Sequence, residues 1–125
     1  MKYLKKHKTL VDSKNFTPVI EGMRRVVNEP GGTGSAARLK EMIVCGKTGT
    51  VQNSQGKDHS VFIAFAPLEN PKIAIAVFIE NAGAGGTWAA PIASLIIEKY
   101  LRSKISDLNK EKMVVDAILS NYAKK

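Results

Sequence analysis

Residues 43–80 read IVCGKTGTVQNSQGKDHSVFIAFAPLENPKIAIAVFIE, and this segment carries the strongest structural signal in the chain. Three runs in it have the composition of β-strands: about Ile43–Val51, His59–Ala66 and Lys72–Glu80. The joins between them are short and rich in turn-forming residues, so we expect the three strands to pair as an antiparallel meander. The third run is almost wholly apolar, which predicts a strand that is covered on both faces.

Helical patterns lie on both sides of this stretch. Thr17-Pro18 is typical of a helix start, with Thr17 as the N-cap and Pro18 at the first helical position. Apolar residues recur at helical spacing as far as Asn28, and Pro30 prevents the helix from continuing. Behind the strands, an apolar stripe predicts a second helix over about 87–105; the stripe consists of Ile92, Leu95, Ile96 and Tyr100. The sequence therefore predicts an α+β fold, a three-stranded antiparallel sheet flanked by helices.

The two ends of the chain differ from this middle part. Residues 1–16 are polar, basic and without periodicity, which predicts an extended basic lead-in. Residues 106–125 begin as a polar linker and continue as an amphipathic C-terminal tail. The apolar face of the tail is formed by Val115, Ile118, Leu119 and Tyr122. We therefore place the domain itself at residues 17–105, between the lead-in and the tail.

Composition limits the class of protein. The 125 residues suffice for one domain or for part of a larger one, and 44% hydrophobic and 24% charged residues are ordinary globular values. The longest apolar run, Ile73–Ile79, is too short to span a bilayer, and no signal-peptide pattern is present, so we expect a soluble chain without a targeting signal. A single cysteine, Cys45, excludes an internal disulfide, and with two histidines far apart we expect neither a metal nor a cofactor.

The net charge of +8 is concentrated at the ends of the chain. Lysines crowd the segments Lys2–Lys14 and Arg102–Lys125, whereas the middle is nearly balanced. A basic chain suggests nucleic acid as a partner, but these lysines have no aromatic residues between them and no recognition helix beside them. Solvated basic tails explain the charge better, and we expect no nucleic-acid partner.

The run Gly46-Lys47-Thr48-Gly49-Thr50 on the first predicted strand carries chemistry. The lysine supplies a positive charge, the threonine a hydroxyl, and the glycine room for another backbone, so this strand can form one wall of an acyl-transfer site. A phosphate-binding P-loop would need a glycine where Glu41 stands. A dinucleotide-binding loop at Gly83-Ala84-Gly85 would need one where Trp88 stands, which leaves a glycine-rich turn whose helix amides can still face an anion.

His59 opens the second predicted strand. A histidine at such a position can act as a general base. A histidine that holds a strand end by hydrogen bonds is the more common case, and we expect that structural role.

An ordered set of segments around this run resembles one family. The segments are Val19–Arg24, Gly32–Gly34, Gly46–Thr50, Lys57–Ser60, Phe62–Pro67 and Pro71–Val77. Together they resemble the C-terminal part of the transpeptidase domain of class B penicillin-binding proteins, of the penicillin-binding protein 2 type. The resemblance implies that residues 17–105 form a C-terminal piece of the penicillin-binding protein/serine β-lactamase-like transpeptidase fold. Val61 departs from the tryptophan that relatives often carry.

In that family the site combines the motifs Ser-x-x-Lys, Ser-x-Asn and Lys-Thr-Gly. The resemblance implies roles for the third motif: Lys47 as a positive charge bonded to the second motif's serine, and Thr48 as the partner of a D-alanyl-D-alanine or β-lactam carboxylate. Gly49 would let the peptide lie along the strand, and the N–H of Thr50 would donate to the oxyanion hole. Lys47 and Thr50 are thus the expected catalytic residues, and Thr48, Gly49 and Thr50 the expected substrate-binding residues.

The other two motifs have only chance matches. Ser54-Gln55-Gly56-Lys57 fits Ser-x-x-Lys, but it lies in a predicted turn, whereas a helix is what brings a serine and a lysine at this spacing onto one face. Ser13-Lys14-Asn15 fits Ser-x-Asn, but it lies closer to Lys47 than the family's pattern allows. We therefore expect no nucleophile in this chain.

The resemblance, with one of its three motifs present, predicts a C-terminal fragment of a peptidoglycan D,D-transpeptidase. The resemblance implies that the parent is a penicillin-binding serine enzyme, anchored in the bacterial inner membrane and facing the periplasm, that acts on peptidoglycan stem peptides and binds β-lactams. The isolated chain is expected to be inactive. In the family, the strand that matches 72–80 also pairs with a strand from the N-terminal part of the domain, so the resemblance implies an exposed edge here and predicts a homodimer or a swapped assembly through it. One alternative is a free-standing, non-catalytic binding or assembly module with the same fold, which the gene sequence before Met1 would distinguish. A β-lactamase is a weaker alternative, because the segments outside Gly46–Thr50 resemble those of the transpeptidases more closely.

Overall fold

The computed structural model describes residues 8–117 as a three-stranded sheet with helices packed against it. The elements in chain order are α1 (Thr17–Asn28), β1 (Cys45–Val51), β2 (His59–Ala66), β3 (Ile73–Ile79), α2 (Ala89–Arg102) and α3 (Leu108–Val115). Short 3₁₀ turns at Ser13–Phe16 and Ser35–Ala37 precede α1 and β1. The predicted α+β fold is confirmed.

The sheet has the order β1-β2-β3, and both pairings are antiparallel. Thr48 lies opposite Phe62, and Phe62 lies opposite Val77, so these three side chains share one face. We call that face the covered face; it carries Gly46, Thr48, Thr50, Ser60, Phe62, Ala64, Ala66, Ile73, Ile75, Val77 and Ile79. We call the opposite side of β2 and β3 the bare face; it carries Val61, Ile63, Phe65, Ala74, Ala76 and Phe78.

Helix α2 packs on the covered face and forms the core with it. The buried side of α2 brings Ala93 and Ile97 into one cluster with Phe62, and all three side chains are fully buried. The predicted stripe is only partly correct, because Ile96 and Tyr100 are 45% and 66% exposed. Phe62 also fills the space in front of Gly46, because a Cβ built on Gly46 would lie 2.3 Å from the phenyl ring. The small residue in β1 therefore lets a large aromatic side chain reach under the sheet.

Helix α1 is tied to the start of β1 by an amide side chain. The Nδ2 atom of Asn28 donates to the carbonyl oxygens of Val44, at 2.8 Å, and Arg24, at 2.7 Å. The amide thereby joins the end of α1 to the residue that precedes β1. The helix begins one residue earlier than expected, because Thr17 is already helical and Phe16, at the end of a 3₁₀ turn, occupies the N-cap position.

The remaining element ends differ slightly from the predictions. β1 begins at Cys45 rather than Ile43, since the preceding chain makes a tight bridge between Leu39 and Met42. α2 ends at Arg102, where Ser103 adopts a left-handed conformation with φ of 58°. Of the predicted amphipathic tail face, Val115 ends α3, whereas Ile118, Leu119 and Tyr122 lie outside the described residues.

The expectation that β3 is covered on both faces is wrong for the described chain. Phe78 keeps 56% of its surface exposed and Ile63 keeps 47%. The small residues Ala74 and Ala76, on the same face of β3 as Phe78, are also exposed. An apolar run in a sequence reports that both faces of a strand are apolar. It does not report whether the chain itself supplies a layer for each face.

Helix α3 is joined to α2 by a buried carboxylate. Glu98 is 2% exposed, and its side chain accepts hydrogen bonds from the backbone N–H of Ser106, at 3.0 Å, and from Arg102, at 3.4 Å. Burial raises the pKa of Glu98, but the bond from Ser106 and the charge of Arg102 outweigh it, so the pKa lies below its ordinary value. Lys110 of α3 donates to Ser94 at 3.1 Å, and burial lowers its pKa.

Residues 8–117 contain no helix with the length and apolarity that crossing a membrane requires.

Candidate functional site

The run Gly46–Thr50 lies on β1, at one edge of the sheet. β1 pairs with β2 along one side, and no strand of the described residues pairs with its other side. Because side chains alternate along a strand, Thr48 and Thr50 lie on the covered face, whereas Lys47 lies on the opposite face. An unpaired strand edge can accept an extended peptide as an additional strand, held by main-chain hydrogen bonds.

The ammonium group of Lys47 bends back onto its own strand. Its Nζ atom donates to the carbonyl oxygen of Thr48 at 2.8 Å, and the side chain is exposed. Within residues 8–117, no carboxylate forms an ion pair with it. Lys47 thus places an exposed positive charge beside the free edge of β1.

The hydroxyl of Thr48 meets a hydroxyl from the loop that follows α1. The Oγ1 atoms of Thr48 and Thr33 are 2.9 Å apart. Thr48 is half-buried and Thr33 is exposed, so this pair lies at the surface beside the strand. Thr50, two residues further along the same face, is exposed.

The glycine-rich segment 82–86 packs directly against the backbone of the sheet. A Cβ built on Gly85 would lie 2.2 Å from the carbonyl oxygen of Val61 and 2.4 Å from that of Gly49. Buried Ser60 secures this segment, since its Oγ donates to the carbonyl of Ala84 at 3.0 Å and accepts from the N–H of Ala89 at 3.2 Å. Only a residue without a side chain allows this approach at position 85.

His59 holds the end of its strand, as expected. Its Nδ1 atom accepts the backbone N–H of Asn81 at 3.0 Å, and its ring lies 5.3 Å from the ring of Phe78. Asn81 has a left-handed φ of 56°, and its side chain accepts from Asn53 at 2.7 Å. The histidine therefore ties the start of β2 to the turn that follows β3.

The two chance motif matches lie in surface turns. Ser54 and Lys57 are exposed in the turn between β1 and β2, where the N–H of Gln55 bonds to the side chain of Asn53. Ser13 is exposed in the 3₁₀ turn before α1. Ser54 and Lys57 do not stand on an α-helix, which is the geometry that the serine–lysine pair of the family requires.

Sequence reasoning alone gave Thr33 no role at the site. The available signal was its place between two glycines in a loop that resembles the family. What identifies it is a contact between residues 15 positions apart, which no local pattern encodes.

Cys45 and the titratable groups offer no further chemistry at this strand. Burial raises the pKa of the Cys45 thiol, which keeps it in the unreactive protonated form. Within residues 8–117, no three His, Cys, Asp or Glu side chains lie close enough together to hold a metal ion. Two depressions, of about 440 and 680 Å³, lie around residues 38–43 and against α2 and α3 rather than at Gly46–Thr50.

Comparison with known families and structures gives one consistent result. Residues 2–98 match the family model of the penicillin binding protein transpeptidase domain. The peptidoglycan D,D-transpeptidase MrdA of Haemophilus influenzae is 37% identical over 105 residues, a match that covers 71% of this chain and 16% of that protein. Among solved structures, Pseudomonas aeruginosa PBP2 in complex with WCK 5153 is 36% identical, with a TM-score of 0.67, and the match covers 76% of this chain and 21% of that one.

A second solved structure is the complex between PBP2 and MreC from Helicobacter pylori. It is 28% identical to this chain with a TM-score of 0.61, and the match covers 81% of this chain and 21% of that one. The chain thus spans only about one sixth to one fifth of the length of the relatives that it matches.

Proposed function

The chain belongs to the penicillin binding protein transpeptidase domain family, and on that premise we propose that it is the C-terminal portion of a peptidoglycan D,D-transpeptidase of the penicillin-binding protein 2 type. The observation that carries the proposal is the run Lys47–Thr50 on an edge strand whose outer side is free of any strand among residues 8–117. In the proposed parent, a serine attacks the penultimate D-alanine carbonyl of a stem peptide. The terminal D-alanine leaves, and the acyl group passes to the amine of a neighbouring stem.

The proposed role of β1 is to be one wall of that site. The exposed charge of Lys47 supports a role in holding the serine of the second family motif, and the hydroxyl of Thr48 supports a role in binding the terminal carboxylate. Gly49 has no side chain to obstruct a peptide that lies along the edge. The backbone N–H of Thr50 is the proposed oxyanion donor; the loss of one such donor typically slows acyl transfer by roughly 10²–10³-fold.

We further propose that this chain contains no nucleophile of its own. Covalent catalysis requires a serine within hydrogen-bond reach of its activating base. Ser54 and Lys57, which match the spacing, stand in an exposed turn, and this placement supports the view that the match is accidental. The isolated chain is therefore expected to be inactive.

Labelling with a fluorescent penicillin tests the absence of a nucleophile. We expect no labelled band after the chain is mixed with the reagent, denatured and separated, whereas a complete transpeptidase under the same conditions is labelled. Stoichiometric label that survives boiling would contradict the proposal, and loss of that label in Ser54→Ala would identify the unexpected nucleophile.

A chimera tests the proposed parent function. Residues 2–98 replace the matching segment of Haemophilus influenzae MrdA, whose own upstream part supplies the missing residues. We expect the chimera to react with fluorescent penicillin. Lys47→Ala in the chimera should slow labelling by on the order of 10²–10³, the cost of losing a preorganised charge at such a site. Lys57→Ala, an equally exposed lysine in the turn, should not, and a folded chimera that is labelled equally in both variants would refute the role of Lys47.

The free edge of β3 supports a proposal about assembly. β3 is the last strand of the sheet, and its apolar bare face lies beside an edge that no described strand occupies. An exposed apolar edge is a template for pairing with another chain. We therefore propose that the isolated chain forms a homodimer through residues 72–80, and a clean monomer by light scattering at high concentration would contradict this.

A further inference from the structure

We propose that Thr33 is a positioning residue that orients the hydroxyl of Thr48 toward the free edge of β1. The proposal rests on the proposed function, in which Thr48 binds a carboxylate. Its direct support is the 2.9 Å contact between the two Oγ1 atoms. Thr33 comes from the loop after α1, so the contact joins a loop to the strand that would face the substrate.

The loop holds Thr33 in place from both sides. The N–H of Gly34 donates to the carbonyl of Val26 at 3.0 Å, and a Cβ built on Gly32 would lie 2.2 Å from the same carbonyl oxygen. Because neither glycine has a side chain, the loop packs closely against the C-terminal turn of α1. Gly32 also accepts the N–H of Ser35 at 3.1 Å, which closes a turn around Thr33.

The glycine-rich segment 82–86 closes the third side of this arrangement. A Cβ built on Gly86 would lie 2.3 Å from the carbonyl oxygen of Thr33 and 3.8 Å from the methyl carbon of Thr48. Gly86 thus lies against both threonines, and its neighbour Gly85 lies against the backbone of the sheet. The methyl group of Thr48 faces this segment while its hydroxyl faces Thr33, which defines one side-chain rotamer.

In the proposed function, Thr33 is the donor and Thr48 the acceptor of this hydrogen bond. A hydroxyl donates one hydrogen bond and accepts others, whereas a carboxylate only accepts. When Thr33 donates to Thr48, the proton of Thr48 remains free to donate to a carboxylate at the strand edge. The two hydroxyls then form a chain in which each bond polarises the next. Thr33 acts through Thr48 and does not itself need to touch the ligand.

The glycine-rich loop also acquires a role by this inference. Its pattern does not fit a dinucleotide site, because Trp88 stands where the third glycine belongs. In the structure its glycines permit the close approach that keeps Thr33 beside Thr48.

Methyl NMR on the substrate-free chain tests the inference. With ¹³C-labelled threonine, three-bond couplings from the Thr48 methyl carbon report its χ1 angle. We expect one rotamer in the wild type, rotamer averaging in Thr33→Val, which removes the hydroxyl at nearly constant shape, and a single rotamer again in Thr33→Ser, which keeps it. An unchanged single rotamer in a folded Thr33→Val variant would overturn the proposal, and so would averaging in Thr33→Ser, since shape rather than the hydroxyl would then hold Thr48.

A second variant tests the same contact from the side of the glycine-rich segment. Gly86→Ala removes no hydroxyl but forces the Thr33 carbonyl away from its present place, so averaging of Thr48 is expected there too, and a retained single rotamer would contradict the proposal. Circular dichroism establishes that each variant is folded. The measurement needs no substrate and no nucleophile, so its outcome is independent of the penicillin-labelling experiments that test the proposed function.

Discussion

The covered and bare faces of the sheet are built from similar apolar residues, yet their surroundings differ. On the covered face, Phe62 is fully buried beneath α2, whereas on the bare face Phe78 keeps 56% of its surface exposed. Both rings stand on neighbouring strands of one sheet. The described residues therefore supply a helix layer for the covered face of β2 and β3 and none for the bare face. This difference agrees with a chain that spans about one fifth of the related PBP2 structures.

The largest expected effect comes from truncating the two aromatic rings separately. Phe62→Ala should lower the free energy of unfolding by about 3–5 kcal/mol, since it removes buried contacts and leaves a cavity. In dilute, monomeric protein, Phe78→Ala should cost less than about 1 kcal/mol, because more than half of that side chain already faces water. Urea denaturation of both variants measures the difference.

Equal losses of unfolding free energy in these two variants would contradict the difference between the covered and bare faces. They would mean that the bare face is covered in solution, and a loss in Phe78→Ala that grows with protein concentration would identify a second copy as the cover.

A smaller effect is expected from the buried carboxylate behind the covered face. Glu98→Gln should lower the free energy of unfolding at pH 7 by about 2–3 kcal/mol, because the bonds to Ser106 and Arg102 lose their charge. The folded pKa of Glu98 is depressed, so the carboxylate stabilises the chain above the unfolded value of about 4.3 and this stability is lost as pH falls through the folded pKa. Denaturation followed from pH 7 to pH 3 should show a smaller acid loss in Glu98→Gln than in the wild type.

Glu80→Gln is the matched control for this pH dependence. Glu80 is exposed at the end of β3, so its substitution should change neither the stability at pH 7 nor the acid loss by more than about 0.5 kcal/mol. An acid profile for Glu98→Gln that coincides with that of Glu80→Gln would exclude the proposed stabilisation by Glu98.

Backbone contact on the covered side gives the third prediction. Gly85→Ala should cost roughly 2 kcal/mol, since the added methyl group would overlap two strand carbonyls that cannot move independently. Gly22→Ala is the control: it adds a methyl group to α1 with no atom within 4 Å, and it should stabilise the chain by about 0.5–1 kcal/mol. Thermal melts of the two variants that shift in the same direction would show that segment 82–86 does not pack as described.

The smallest effect on stability, with a distinct effect on assembly, is expected on the bare face. Phe78→Lys should change the free energy of unfolding of the dilute, monomeric chain by no more than about 0.5 kcal/mol. At high concentration it should abolish self-association, because a lysine on an edge strand opposes pairing. Ile96→Lys places the same charge on an exposed position of α2, away from the sheet, and should leave association unchanged. Light scattering that finds both variants equally associated would exclude the bare face and its edge as the interface.

Local chemistry made the strands predictable. β2 has the predicted bounds, His59–Ala66, because turn-forming residues end it on both sides. The start of α1 was harder to predict from the sequence. Thr17 is a residue type typical of an N-cap, but the preceding 3₁₀ turn makes it the first helical residue. The wrong expectation for β3 has the same origin: an apolar pattern states what a face would bury, and only the arrangement of layers decides whether it is buried.

The three-stranded meander, the helices on either side and the resemblance to the transpeptidase family can all be read from the residues. Short turns, helix-ending residues and an ordered set of segments are local properties of a chain. Only the tertiary structure decided which face of the sheet is covered, that Thr33 meets Thr48, and that segment 82–86 lies against the backbone of β1 and β2. These features join residues distant in sequence, whose approach depends on how helices and sheet pack. The run Gly46–Thr50 illustrates the difference. Its residue types indicate its chemistry, whereas the fold determines which residues surround it.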